Sequence, residues 1–458
     1  MHVFELTLDI PVAAKHKNLL EHLRHEVESR LPADTVPVRL AVTSTDNCYY
    51  HCEIGVIADA DHVHFAGLGS IFEISRRQTE NTEKFNAVML IPTGVNCEIG
   101  GHAGDAGPAV RLLASVCDRL ITHPNAVNAS DINEIPDNGL YVEGSVICRL
   151  IQGTAALQPV RSNRVLMVAD NHPMIERRED LINAVNAARA SYGLSCPKIV
   201  VPDEPVVLQA HITATGRAAG HVEGLEQVLE IMDRERGTFD AVALAGAVEV
   251  PPGLESRYFG GESTLANPWG GVEAIYTHAL SMLTNVPSAH APIDTAGYGA
   301  FEHSLRNEGI DLAVDPRMAA EVISKTYLQC ILKGLHRSPK IIPVRQGTFL
   351  PGLIGVSDIS CLIIPAGVLG LPVLAALEQG INVIAVRENR NLMGNDLSCL
   401  PWADGQYVEV DNYLEAVGVM SAIKTGISLD TVRRPINRTI VDTRDLSTPT
   451  KIPVAVTG

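Results

Sequence analysis

The chain has 458 residues, 46% of them hydrophobic and 4% aromatic, with a formal net charge of -17. That length suggests two or three domains and leaves room for a large core. An acidic chain poor in aromatic rings lacks the basic surface and stacking platforms of nucleic-acid binders, and an anionic membrane surface would repel it.

Other exclusions follow from particular stretches. No run approaches the roughly 18 apolar residues of a membrane span. The start, Met1-His2-Val3-Phe4-Glu5, carries neither the basic nor the apolar region of a signal peptide. The nine cysteines are dispersed, without a CxxC pair, so reduced thiols and a cytoplasmic location are expected.

In chain order, residues 2–10 alternate like a strand and 14–31 read as an amphipathic helix. Residues 36–45 and 49–57 read as strands around an Asp46-Asn47 turn. A polar stretch, 75–84, then connects to a region of different pattern. Strands are predicted at 88–91, 120–122, 165–169, 198–201, 241–244, 340–344, 361–364 and 383–386. Helices are predicted at 109–117, 177–191, 223–236, 271–283, 317–334, 372–379 and 413–424. Such alternation implies a parallel sheet covered by helices. The expected fold class is α/β, with mainly parallel, Rossmann-like sheets and a small N-terminal α+β unit over 1–80. A ligand-binding region spans 81–425, with a break between two lobes near 205–340, and an extended tail covers 426–458.

One phrase occurs twice, Ile91-Pro92-Thr93-Gly94-Val95 and Ile364-Pro365-Ala366-Gly367-Val368. Each copy follows an apolar run and leads through a glycine-rich turn into a helix and a second apolar run. Loops at strand carboxyl ends are where open α/β sheets bind ligands. The first loop runs on to Pro108 with five glycines from Gly94 to Gly107, including Gly100 and Gly101, and with Glu98, His102 and Asp105. Glycines permit close backbone approach, successive amides can cradle an anion, and the three ionisable groups supply acid or base. The alternative is a tight loop that caps the following helix. Cys97 could act as a nucleophile, although a small buried residue at a strand end is the simpler reading.

Two His-Pro pairs, at His123 and His172, mark strand exits facing the same crevice, where a histidine could transfer protons. Asn125 follows the first. His102, Asp105 and His123 could alternatively hold a divalent metal, although no HExxH or His-x-His pair supports one. A third stretch, Phe259 to Glu273, places Glu262, Asn267, Gly270 and Gly271 before a helix. Asn267 is suited to cap that helix, and its end could bind a carboxylate or phosphate. Further on, His290 precedes Asp294, either as a base and its orienting partner or as a polar turn.

The second phrase, with Gly367, Gly370, Glu388 and Asn389, resembles the nucleotide-binding half of GT-B glycosyltransferases and related epimerases. That likeness implies a diphosphate on the glycine loop and a ribose on Glu388. No dinucleotide or ATP motif is present. The runs Ile91-Pro92-Thr93-Gly94, Gly101, Gly104-Asp105-Ala106, Leu120 to Asn125 and Leu140-Tyr141-Val142-Glu143-Gly144 resemble a bacterial and cyanobacterial family catalogued only as domain of unknown function 3326. The resemblance implies no activity. The leading expectation is a homo-oligomeric enzyme that acts on a small, anionic metabolite by proton transfer: isomerisation, elimination or hydrolysis. The alternatives are a nucleotide-sugar-dependent transferase or epimerase, and a non-catalytic metabolite-binding or assembly protein.

Overall fold

The computed structural model describes residues 1–12, 18–59, 65, 68–102, 104–128, 135–171, 178–262, 264–293, 305–311, 313–323, 327–344, 351–439 and 441. The α/β expectation holds. Six parallel strands form one sheet, in the order Tyr407–Val410, Asn382–Val386, Ile359–Pro365, Asn86–Met89, Arg119–Thr122 and Gly139–Tyr141. Four more form a second parallel sheet, in the order Ser288–Pro292, Ala241–Gly246, Val165–Ala169 and Ile199–Val200. The central strands Ile359–Pro365 and Ala241–Gly246 are buried along their whole length. A strand covered on both faces must be apolar throughout, which is why these read as unbroken hydrophobic runs.

The N-terminal strands form an antiparallel group in the order His2–Pro11, Tyr49–Ala58, Thr35–Thr45, and the turn at Asp46 joins the last two as a hairpin, as predicted. They share their sheet with later chain. The hairpin Val207–Ile212 and Ala218–Glu223 adds to one side through His2–Pro11, and Leu369–Gly370 adds to the other. The Lys340 strand differs from expectation. It lies outside the parallel sheets, in a two-stranded antiparallel ribbon with Ala155–Gln158. Within the helix predicted over 317–334 the described residues hold Ala319–Ile323 and Leu328–Arg337, with 324–326 outside them, and Arg317 stands before the first. Arg317 stays outside because Asp315 Oδ1 accepts its backbone N–H at 2.9 Å and holds a turn there.

Both parallel sheets reverse direction at their centre. From Asn86–Met89 the chain passes through the helix Gly107–Ala114 to Arg119–Thr122. From the neighbouring Ile359–Pro365 it passes through Leu371–Gln379 to Asn382–Val386 on the other side. In the four-stranded sheet, Val165–Ala169 leads through Arg178–Tyr192 to one edge, and Ala241–Gly246 leads through the helix Gly270–Thr284 to the other. Each reversal opens the sheet's carboxyl end as a crevice. The Gly270–Thr284 helix packs on the antiparallel sheet and reaches towards both crevices. Among the described residues no helix is long and apolar enough to cross a membrane.

Candidate functional site

The repeated phrases lie side by side. Leu90 N–H donates to the Ile363 carbonyl at 2.9 Å, so both phrases leave the six-stranded sheet at its switch point. The protein's own segment Asn389–Asn395 lies across the two loops. Leu392 N–H donates to Val95 O at 2.9 Å, and Glu98 N–H donates to Arg390 O at 3.0 Å. Asn391 Nδ2 reaches Ala366 O at 2.9 Å, and Asn395 Nδ2 reaches Gly367 O at 2.9 Å and Val42 O at 2.8 Å. Asn389 is fully buried and pins the first loop: its amide exchanges hydrogen bonds with Ile99 N–H and O at 2.9 and 3.0 Å and donates to Tyr413 Oη at 2.8 Å.

Several predicted binding residues are engaged in this packing. Gly370 pairs with Ala41 in the antiparallel sheet, and Glu388 is exposed on the rim. A Cβ on Gly101 would stand 2.2 Å from Cys97 O, and one on Gly271 would stand 2.3 Å from Ala218 O, so both positions require glycine for close backbone approach. Gly100 N–H donates to Asp105 Oδ1 at 2.9 Å and closes the loop. His123 Nε2 accepts Ile91 N–H at 2.9 Å, and Asn125 Nδ2 donates to the Ile91 and Pro92 carbonyls at 3.1 and 3.4 Å. These two residues fix the exit of the first phrase. Burial lowers the His123 pKa to about 4, so its ring is neutral and accepts that amide.

The ionisable side of the loop gathers around His102. His102 Nδ1 lies 3.0 Å from Tyr258 Oη, Tyr258 Oη–H donates to Glu321 Oε1 at 3.0 Å, and Asn267 Nδ2 donates to the same oxygen at 3.1 Å. Asn267 also donates to His102 O at 3.1 Å, while its Oδ1 accepts the Trp269 and Gly270 amides at 3.0 and 3.3 Å. The asparagine therefore supports the helix entry, as expected, and ties it to the histidine. Burial, reinforced by the Arg317 charge, lowers the His102 pKa to about 4. Burial raises that of Glu321 to about 8, against the pull of its two hydrogen bonds. Asp105 is raised as well, again by burial. At neutral pH the chain Glu321–Tyr258–His102 thus holds a protonated carboxyl, a phenol and a neutral imidazole. Such a chain can pass a proton by reversing its hydrogen bonds. His102 Nε2 is buried and has no hydrogen-bond partner among the described residues. Beside it, Arg317 pairs with Asp315 at 3.0 Å and Glu98 at 2.7 Å, and Arg390 reaches Glu98 at 3.1 Å.

The Gly270–Thr284 helix contributes two further histidine–carboxylate pairs. His278 Nδ1 lies 2.5 Å from Glu143 Oε1, next to the six-stranded sheet. Burial alone would raise Glu143, but His278 and Ser145 hold its carboxyl below the usual range. Glu273 Oε1 lies 2.8 Å from Nδ1 of His290, a residue of the four-stranded sheet. The His290 Nε2 is buried and, among the described residues, without a partner. A Cβ on Gly246 would come within 3.1 Å of that nitrogen. The nitrogen therefore faces the carboxyl end of Ala241–Gly246, in a small cavity lined by Asp170, Gly246, Tyr276 and apolar side chains. The Glu273 charge contributes to the raised pKa of Glu321, which links the His290 and His102 groups electrostatically.

Glu98, His102, Asp105, Asn267 and Gly270, singled out from separate stretches, therefore meet. Glu262 stands apart, paired with Arg257 near the surface at 2.8 Å. His172 lies outside the described residues. His102, Asp105 and His123 are not among the side chains whose ligand atoms gather within 4.8 Å of one another. Their polar atoms turn to Tyr258, Gly100 and Ile91 instead. Burial pushes the Cys97 thiol well up, which leaves it a packing group. Tyr258, Glu321, Glu143, His278 and Glu273 had no signal in the sequence as site residues. For His290 the structure supplies Glu273 as the acidic partner, while Asp294, the partner suggested by the sequence, lies outside the described residues.

Comparisons with known proteins agree with the resemblance seen in the sequence. Residues 86–433 match the family described as "Protein of unknown function (DUF3326)". The chain is 32% identical over 344 residues to an uncharacterized lipoprotein of Synechococcus sp. (strain ATCC 27144 / PCC 6301 / SAUG 1402/1), an alignment that covers 74% of this chain and 91% of the relative. No solved structure matches.

Proposed function

Because the chain belongs to the DUF3326 family, whose function is unknown, we propose from its geometry that it is an enzyme catalysing proton transfer on a small, anionic metabolite. One observation carries this reading. His102 and His290 are each buried, each directs Nδ1 at an orienting partner, Tyr258 or Glu273, and each keeps a buried Nε2 without a partner among the described residues. A buried polar atom left unpaired costs about 1–3 kcal/mol, so one on each of these two histidines favours a role outside the resting fold.

In this mechanism Nε2 of one histidine removes a proton from the substrate. Glu273 stabilises the imidazolium formed on His290, and the Tyr258–Glu321 chain relays charge at His102. Arg317 and Arg390, paired at rest with Glu98 and Asp315, would receive a carboxylate or phosphate by exchanging those partners for it. Asp105, His123 and Asn125 hold the loop in place. Isomerisation, elimination and hydrolysis all need such groups. The nine free thiols favour a reducing, cytoplasmic setting, whereas the related Synechococcus protein is named a lipoprotein.

The test is deuterium exchange. The protein is incubated in D2O with a panel of small carboxylates and phosphates, and C–H exchange or conversion is followed by NMR. The reading expects at least one compound to react, and the reaction to be lost in His102→Ala or His290→Ala. Silence across the panel, or full activity in both variants, overturns it.

A further inference from the structure

We propose that His2, His221 and Glu223 form a binding site for a divalent transition-metal ion of the zinc class, on the antiparallel sheet and apart from the site above. His2 lies directly opposite Glu223 in the antiparallel pairing of His2–Pro11 with Ala218–Glu223, and His221 precedes Glu223 by two residues on the same strand. Alternation along a strand puts all three side chains on one face. Their ligand atoms lie within 4.8 Å of one another. Glu223 Oε1 is 2.9 Å from His221 Nε2 and 3.8 Å from His2 Nδ1. Zinc–ligand bonds of about 2.0–2.1 Å in tetrahedral geometry place donors about 3.3 Å apart, between those two separations.

The surroundings suit a cation. The positions facing the site across the neighbouring strands are Ala58, opposite His2, and Val207, opposite Glu223, neither of them cationic. The Met1 ammonium is already paired with Glu226 at 2.9 Å. The lattice beneath is firm, because Val3 and Val222 pair with each other and are fully buried. Two imidazoles and one carboxylate match zinc, cobalt, nickel or copper rather than calcium or magnesium, and they leave a fourth position open to water. A bound ion would tie the start of the chain to a strand more than 200 residues later, adding a metal staple to the pairing of these strands.

Cobalt titration of the metal-stripped full chain tests this, read by visible d–d absorption and by zinc competition. One equivalent should bind, and added zinc should raise the melting temperature. His221→Ala and His2→Ala should each weaken binding by at least about tenfold and abolish the thermal shift, and Glu223→Gln should weaken it as well. Absence of binding to the wild type overturns the proposal. So does binding retained in the His2→Ala/His221→Ala double variant, or a cobalt–thiolate charge-transfer band, which would place the ion on the exposed Cys48 or Cys399 instead.

Discussion

Glu273 Oε1 lies 2.8 Å from His290 Nδ1, and five residues further along the same helix His278 sits 2.5 Å from Glu143. Five residues turn a helix by about 140° beyond a full revolution, so the two side chains leave on different faces. One helix thereby addresses the carboxyl ends of both parallel sheets, and each sheet supplies the partner.

The first prediction concerns that pair. His290→Ala should lower turnover on any substrate found in the exchange screen by about 10²–10⁴-fold. Glu273→Gln keeps the shape but removes the charge that supports an imidazolium, so a smaller loss is expected. Unchanged thermal midpoints in both variants would separate a chemical defect from a folding one.

Acid should destabilise the protein through its buried histidines. His102 and His123 have pKa values lowered to about 4 by burial, against about 6.5 in the unfolded chain. Between those values the unfolded state binds more protons, so stability is full above about pH 6.5 and falls as pH drops towards 4, by at most about 1.4 kcal/mol per pH unit for each group. Urea unfolding from pH 7 to pH 4 should show this slope, and His123→Gln should make it shallower.

Glu321 acts in the opposite direction. Its pKa is raised to about 8 by burial, so the folded state holds the proton more tightly and stability falls as pH rises from about 4.5 to 8. Glu321→Gln mimics the neutral acid. Relative to wild type it should gain stability steadily over that window, by up to about 1.4 kcal/mol per pH unit, with little difference at pH 4.5. Melting temperatures measured across the range would show the two curves diverging; parallel curves would rule out the raised pKa.

Two glycines of the first loop should behave differently. Gly101→Ala forces a Cβ against Cys97 backbone atoms at 2.2 and 2.4 Å, whereas a Cβ on Gly107 meets nothing within 4 Å. Gly101→Ala is expected to cost about 2–4 kcal/mol in chemical denaturation. Gly107→Ala should be neutral or slightly stabilising, since alanine is the better helix former at that helix start.

The neighbouring residues Glu388 and Asn389 form another contrasting pair. Asn389→Ala strands the Ile99 N–H and carbonyl and the Tyr413 hydroxyl in a buried site, at about 2–4 kcal/mol. Glu388→Ala, on the exposed rim, should change stability by less than about 0.5 kcal/mol. Denaturation midpoints of the two variants check this directly.

Much of the fold is legible in the sequence because it depends on neighbours along the chain. Unbroken apolar runs such as Cys361 to Ile364 mark buried parallel strands, and the Asp46 turn marks the N-terminal hairpin. Asn267 announces the helix entry that it supports. The dense loop from Glu98 to Asp105 stands out through its glycines and ionisable groups, and it does reach the candidate site.

The rest depends on which strand lies beside which. Nothing local says that Leu90 and Ile363 share a hydrogen bond, or that the hairpin Val207–Ile212 and Ala218–Glu223 completes the N-terminal sheet. Tyr258 becomes the partner of His102, and Glu321 that of Tyr258, only once these sheets are assembled. The sequence by itself determined the elements and which loop is rich in ionisable groups. The tertiary structure decided that the Asn389–Asn395 segment lies across the two glycine loops, and which histidines keep a nitrogen unpaired. Periodicity and turn chemistry act over a few residues, whereas hydrogen-bond partners and desolvation are set by groups brought together from hundreds of residues apart.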